Sequence, residues 1–209
     1  MKKLITEREI IEFAKSGSKH FVYEKGAILT PLALDKIKSF NLTIESSQVD
    51  EDKISRSGKN FFKAAIGSDH TGYKVKLVLI KQLKDLGIEV TDVGVYNENS
   101  VDYPDIAEAV ALKVKNNDAD FGVLIDATGI PSAITANKFA GIRAATCYNE
   151  FSAKSAREHN NANIVVVGAQ TLGEGAIKSI IEIFVKSKFL GDRHQRRLDK
   201  ITAIENRKK

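Results

Sequence analysis

The passage FGVLIDATGIPSAITANK, residues 121 to 138, constrains this chain more than any other. Phe121 to Ile125 is apolar at every position except Gly122, and it stops abruptly at Asp126-Ala127-Thr128-Gly129. An uninterrupted apolar run ending in acidic, small and flexible residues predicts a buried strand that meets a loop. Pro131 suits the first turn of a helix, where its missing N–H would have had no partner, and Ser132 to Lys138 continue a helical pattern. Strand, small-residue loop and helix start should leave free N–H groups and a positive dipole end beside the Asp126 carboxylate. Such a place suits anion binding and proton transfer.

The same alternation recurs on both sides of this passage. Candidate strands are 63–68, 89–93, 121–125, 143–147 and 164–167; candidate helices are 72–86, 104–115, 132–139, 150–159, 174–188 and one from His194 onward. Short apolar strands separated by amphipathic helices predict an α/β fold, a Rossmann-like three-layer parallel sheet with helices on both faces. Ligands of such sheets sit beyond the carboxyl ends of the strands. Gly67-Ser68-Asp69-His70, Ser100-Val101-Asp102-Tyr103-Pro104 and Asp126-Ala127-Thr128-Gly129 fall at those ends. Of the histidines His20, His70, His159 and His194, three lie in segments that this topology or the basic tail would bring to one end of the sheet.

Ahead of this domain, residues 1–45 read as a small docking or targeting unit. Thr6 and Glu9 have the spacing of a capping box before Ile10, Ile11 and Phe13; His20 to Tyr23 suits a short strand; Thr30 and Pro31 open a second helix to about residue 40. Residues 46–60, SSQVDEDKISRSGKN, are polar and read as a linker, which leaves 61–209 as the main domain.

Charge narrows the partners. Arg193, Arg196, Arg197, Lys200, Arg207, Lys208 and Lys209, set against Asp199 and Glu205, account for the whole net charge of +5. A basic segment on a neutral body fits a discrete anion site or a solvated tail and argues against a nucleic-acid-binding face. No apolar run approaches membrane-spanning length, and the acidic residues in MKKLITEREIIEFAK make a poor secretory signal, so the cytoplasm is expected. The lone Cys147 reads as a buried small hydrophobe. Neither zinc nor calcium spacing is present, and there is no Walker loop, GxGxxG or GxSxG. These absences argue against a metal site, nucleotide binding and serine hydrolysis.

Several motifs in order resemble ribose-5-phosphate isomerase B and its galactose-6-phosphate isomerase relatives: Gly67-Ser68-Asp69-His70, Val101-Asp102-Tyr103-Pro104-Asp105, Thr128-Gly129, Ala136-Asn137-Lys138, Gly141-Ile142-Arg143-Ala144, Ser155-Ala156-Arg157-Glu158-His159-Asn160 and Gly191-Asp192-Arg193-His194-Gln195-Arg196-Arg197. The resemblance implies cofactor-free interconversion of an aldose and a ketose phosphate, ribose 5-phosphate and ribulose 5-phosphate or a related pentose or hexose phosphate, through an enediolate. It implies a homodimer or dimer of dimers whose site is shared between subunits. It gives His159 ring opening, Asp69 and His70 contacts to sugar and phosphate, Asn160 the enediolate region, and Arg193 and Arg197 the phosphate. Tyr103, Ala127, Gly129 and Ile130 would line the substrate, with Thr128 beside the base.

The chemical loop departs from this pattern. Relatives commonly place a cysteine base where this chain has Asp126, a glycine where it has Pro131, and a phosphate-binding arginine where it has Gln170. A carboxylate is a weaker base than a thiolate unless it is desolvated. The expectation is an isomerase with Asp126 as base; the alternative is a non-catalytic sugar-phosphate-binding paralogue or an inactive partner subunit. Residues 24–33, EKGAILTPLA, are similar to a stretch on some bacterial microcompartment-associated enzymes, which implies a shell or other protein partner and a location inside such a compartment.

Overall fold

A computed structural model describes residues 4–24, 27–47 and 61–207. The chain divides into two units, residues 1–56 and 57–209.

In the first unit, β1 (Leu4–Ile5) pairs in parallel with β3 (Ile28–Leu29), and β2 (His20–Glu24) pairs in parallel with β4 (Thr43–Ser47). Helix α1 (Glu7–Ala14) starts where the Glu9 carboxylate accepts the Thr6 N–H at 2.8 Å. Helix α2 (Pro31–Ser39) starts where Thr30 Oγ1 accepts the Ala33 N–H at 3.2 Å. Ile5, Ile10, Ala33 and Ile37 are buried together, with Phe21, Leu29 and Leu42 packed around them. Sequence pattern had suggested neither β1, β3 nor β4, because a strand of two to five residues is recognisable only once its partner is known. β4 also claims the first two positions of the expected linker; residues 48–60 lie outside the described residues.

The second unit holds five parallel strands, β5 (Lys63–Ser68), β6 (Glu89–Asp92), β7 (Phe121–Asp126), β8 (Ala144–Thr146) and β9 (Ile164–Gly168), in the order β6-β5-β7-β9-β8. Its helices are α3 (Tyr73–Asp85), α4 (Tyr103–Lys115), α5 (Ile130–Ala136), α6 (Glu150–Glu158), α7 (Glu174–Lys186) and α8 (Asp192–Asn206). This is the expected three-layer architecture. All six residues of β7 are buried, as a strand covered on both faces must be. Phe121, Val123 and Ile125 face one core with Leu79 and Leu83 of α3, Ala153 of α6 and Phe184 of α7. Leu124 faces the other, with Val110 of α4 and Ala133 of α5. Gly122 shares that second face, where an added Cβ would lie 2.6 Å from a Val110 methyl. Glycine there lets α4 approach the sheet.

The strand order reverses between β5 and β7, which places the crevice of such a fold at their carboxyl ends. Asp69 and Asp126 stand there, joined through the Asp69 N–H, which donates to the Ile125 carbonyl at 3.0 Å.

Candidate active site

At the carboxyl ends, two strand-terminal aspartates do the same local work. Asp69 Oδ1 accepts from Thr71 N at 2.9 Å, Thr71 Oγ1 at 2.6 Å and Gly72 N at 3.1 Å, capping the 3-10 turn His70–Gly72. Asp126 Oδ1 accepts from Thr128 N at 2.9 Å and Gly129 N at 2.6 Å, and Oδ2 accepts from Ser132 N at 3.1 Å. The physical cause is the unsatisfied N–H groups of a helix start, which take the nearest oxygen available.

That arrangement corrects the sequence-based expectation of free N–H groups at this loop. The anion they hold is the chain's own carboxylate. Asp126 is 1% exposed, so it is not displayed as an open base. Ile130 N is also occupied, by Thr128 Oγ1 at 3.2 Å, and Pro131 has no N–H to offer. Oδ2 accepts one N–H and keeps a second lone pair.

The loop is braced from three sides. Ala169 N donates to the Asp126 carbonyl at 2.8 Å, Gln170 N to the Ala127 carbonyl at 3.0 Å, and Thr146 Oγ1 to the Gly129 carbonyl at 2.7 Å. Gly129 has φ +78°, and a Cβ there would meet Thr146 and the Val167 backbone at 2.9 and 3.1 Å. Both its dihedral angle and its crowding require glycine. Ile130 is exposed beside it, and Ala127 and Thr128 are half-buried. His70, half-buried, receives the Val101 N–H at Nδ1 over 3.5 Å, an arrangement that requires the ring proton on Nε2. Val101 belongs to the segment that delivers exposed Tyr103 at the start of α4.

His159, Asn160, Arg193 and Arg197 do not join this group. Helix α6 leaves the carboxyl end of β8 and runs back along the sheet, so its last residues lie near the amino ends, just before β9 begins at Ile164. Arg143, which precedes β8, donates from Nε to the Asn161 carbonyl at 2.9 Å and so marks the same end. The two groups stand apart by about the length of β7, on the order of 15 Å. The expectation that three histidines gather at one end of the sheet is therefore corrected: His70 stands at one end, His159 and His194 at the other.

The second group has its own order. The imidazoles of His159 and His194 stack with centroids 4.3 Å apart and planes 2° from parallel. Ser155 Oγ lies 3.2 Å from His159 Nδ1, and Arg193 Nε donates to His194 Nε2 at 3.3 Å. His194 is 5% exposed, buried although the residues around it in sequence are charged. Burial first, then the neighbouring His159, Arg193 and Arg197, lower its pKa from the ordinary imidazole value. The signal available in the sequence was its i, i+4 relation to buried Leu198 on α8. Arg193 and Arg197 are themselves one turn apart at the start of α8, exposed, where side-chain cations and the helix dipole favour an anion together. Cys147 is buried as expected.

Among the described residues no group of three or more His, Cys, Asp or Glu side chains converges as a metal site, and no helix is long and apolar enough to cross a membrane.

The model of a family described as Ribose/Galactose Isomerase matches residues 64–201. The chain is 46% identical over 145 residues to Ribose-5-P isomerase B of Listeria innocua, covering 69% of this chain and 98% of that protein. Among solved structures it is similar to ribose-5-phosphate isomerase B of Clostridium thermocellum, with a TM-score of 0.70, 42% identity, and coverage of 71% of this chain and all of the other. It is also similar to ribose-5-phosphate isomerase B of Mycoplasma genitalium with bound ribulose-5-phosphate, with a TM-score of 0.67 and 41% identity, covering 69% and 97% of the two chains.

Proposed function

The chain belongs to the ribose/galactose isomerase family, and on that premise we propose that it interconverts an aldose phosphate and a ketose phosphate without a cofactor, at a site shared by two copies. The observation that carries the reading is the separation of two half-sites on one chain. One end of the sheet has the carboxylate loop with Asp69, His70 and Asp126; the other has the imidazole pair and the arginines of α8. Neither half holds everything that aldose–ketose chemistry requires, which is ring opening, proton transfer beside the carbonyl and a cationic grip on phosphate. A second copy placed with its His159 end against the Asp126 loop supplies the missing half. Exposed Ile130 and Ile134 on α5 and Ile201 and Ile204 on α8 give both ends apolar surface for such a contact.

In the complete site, His159 of one copy opens the sugar ring, and Arg193 and Arg197 hold the phosphate. Asp126 of the other takes the proton from the carbon beside the carbonyl through the free lone pair of Oδ2. The electron pair left behind forms the enediolate, the same proton is delivered to the neighbouring carbon, and the hydroxyl proton passes from the oxygen that becomes the new carbonyl to the oxygen of the old one. Thr128 steadies the carboxylate, Asn160 faces the enediolate, and Tyr103, Ala127, Gly129 and Ile130 line the sugar. Ribose 5-phosphate and ribulose 5-phosphate are the first pair to test, because relatives carry those names.

A second reading has one specific observation in its favour. With three N–H groups on its carboxylate, Asp126 serves the loop as a cap, and a chain that binds sugar phosphate without turning it over would look the same. Incubation with pentose and hexose phosphates in deuterated water separates the two. Exchange beside the carbonyl that disappears in Asp126→Asn and in His159→Ala supports the isomerase; binding with no exchange supports the binder.

Residues 1–45 precede the matched region and read as an addressing unit for a protein partner, a microcompartment shell being one, in a cytoplasmic enzyme.

A further inference from the structure

Arg157 is a buried charge to which the chemistry above gives no task. It is 7% exposed, and among the described residues no carboxylate pairs with it. Its guanidinium carbon lies 4.6 Å from the ring centre of Phe61 and 5.5 Å from that of Phe184, two rings inclined by 13°. Nη1 donates to Asn161 Oδ1 at 3.1 Å and to the Ala162 carbonyl, while Nε has no partner among the described residues. Burial, with the charge of Arg143 second, pulls its pKa down to about 10, so it is a cation at neutral pH. Removing a guanidinium from water without a counter-ion is unfavourable, which the faces of aromatic rings and two oxygen acceptors offset in part.

What those acceptors share is one turn. Asn161 has φ +44°, in the left-handed region that a non-glycine residue seldom occupies. Its N–H returns to the Arg157 carbonyl at 3.1 Å, its own carbonyl receives Arg143 Nε at 2.9 Å, and its side chain receives Arg157 Nη1. Two arginines thus clamp the turn that directly follows His159 and Asn160. Phe61, which covers the guanidinium, is the first described residue of the second unit.

We propose that Arg157, covered by Phe61, is a positioning residue: by closing the Asn161–Ala162 turn it fixes the direction in which His159 and Asn160 leave the end of α6. Its effect on turnover rests on the isomerase reading; its effect on the His159 imidazole does not.

The test uses the full chain with Arg157→Met, Arg157→Lys and Phe61→Leu. Nitrogen-15 imidazole signals of His159 are titrated by NMR, and turnover is measured with ribose 5-phosphate, which is cyclic, and with ribulose 5-phosphate, whose phosphorylated O5 cannot close a furanose ring. Arg157→Met should move the His159 signals and midpoint. It should lower kcat on the cyclic sugar about tenfold or more with KM within about twofold, because an interaction made mainly in the ring-opening step is lost, and kcat/KM on the ketose should fall by the same factor as the shared equilibrium constant requires. Arg157→Lys should recover part of this, and Phe61→Leu should shift the imidazole in the same direction. A folded Arg157→Met protein with an unchanged imidazole titration, or with kcat unchanged on ribose 5-phosphate, overturns the proposal. Should Arg157→Met not fold, an unchanged imidazole in Phe61→Leu overturns it. A wild-type chain that turns over neither sugar defeats the isomerase reading, and the imidazole titration still decides the clamp.

Discussion

Asp126 Oδ1 accepts the Gly129 N–H at 2.6 Å, so the loop that follows β7 closes on the carboxylate that precedes it. Gly129 can make that approach because it adopts φ +78° in a space where a Cβ would meet backbone. One side chain is therefore asked to hold a loop and to move a proton.

The two tasks separate by substitution. Asp126→Asn presents one NH₂ group to a nest of N–H donors, and the loss of buried acceptors should cost about 1–3 kcal/mol of stability while abolishing isotope exchange. Asp126→Cys should also lower the melting temperature, yet restore or raise turnover, since a thiolate is the stronger base. Thermal denaturation and deuterium exchange on the same samples check both; a cysteine variant that loses stability and gains no exchange argues for the binder.

A site built from opposite ends of two chains makes a further prediction. Asp126→Asn and His159→Ala chains, each inactive alone, should recover roughly a quarter of wild-type activity when co-expressed in equal amounts, because half the dimers are mixed and each has one intact site. Activity assays on the purified mixture, with subunit composition fixed by mass spectrometry, read this out. No recovery in verified mixed dimers would mean that each site uses one chain only.

Burial raises the Cys147 thiol pKa to about 11, against an opposing hydrogen bond from Ser152. The folded state therefore retains a proton that the unfolded chain releases. This contribution is fully present below about pH 9 and is lost as pH rises toward 11, by on the order of 2 kcal/mol. Denaturant unfolding of wild type and Cys147→Ala between pH 8 and 11 should show the wild type losing stability more steeply.

Deleting residues 1–60 keeps Phe61 over Arg157 and the whole matched region. Turnover should be unchanged and location in the cell altered, as measured by assay and by fluorescence of tagged chains. A fall in turnover with location unchanged would remove the addressing role.

Much of this molecule could be read before any coordinates. The apolar run ending at Asp126 gave strand, loop and helix, and the repeated alternation gave the parallel three-layer sheet, because period and length are local properties. The short strands Leu4–Ile5 and Ile28–Leu29 carry no period of their own and became visible only as a pair. His194 stands among arginines in the sequence, and its burial against His159 depends on the return of α8 to the end of α6.

By itself the sequence determined the layers, the residues at each strand end and the chemical types available for catalysis, since hydrophobic period and turn composition act over a few residues. Tertiary structure decided which of those residues share an end of the sheet, and that the Asp126 carboxylate is already held by three N–H groups. Helix α6 must run back across the sheet before β9 can lie parallel to β7. That return carries His159 away from Asp126, and no local pattern records the distance.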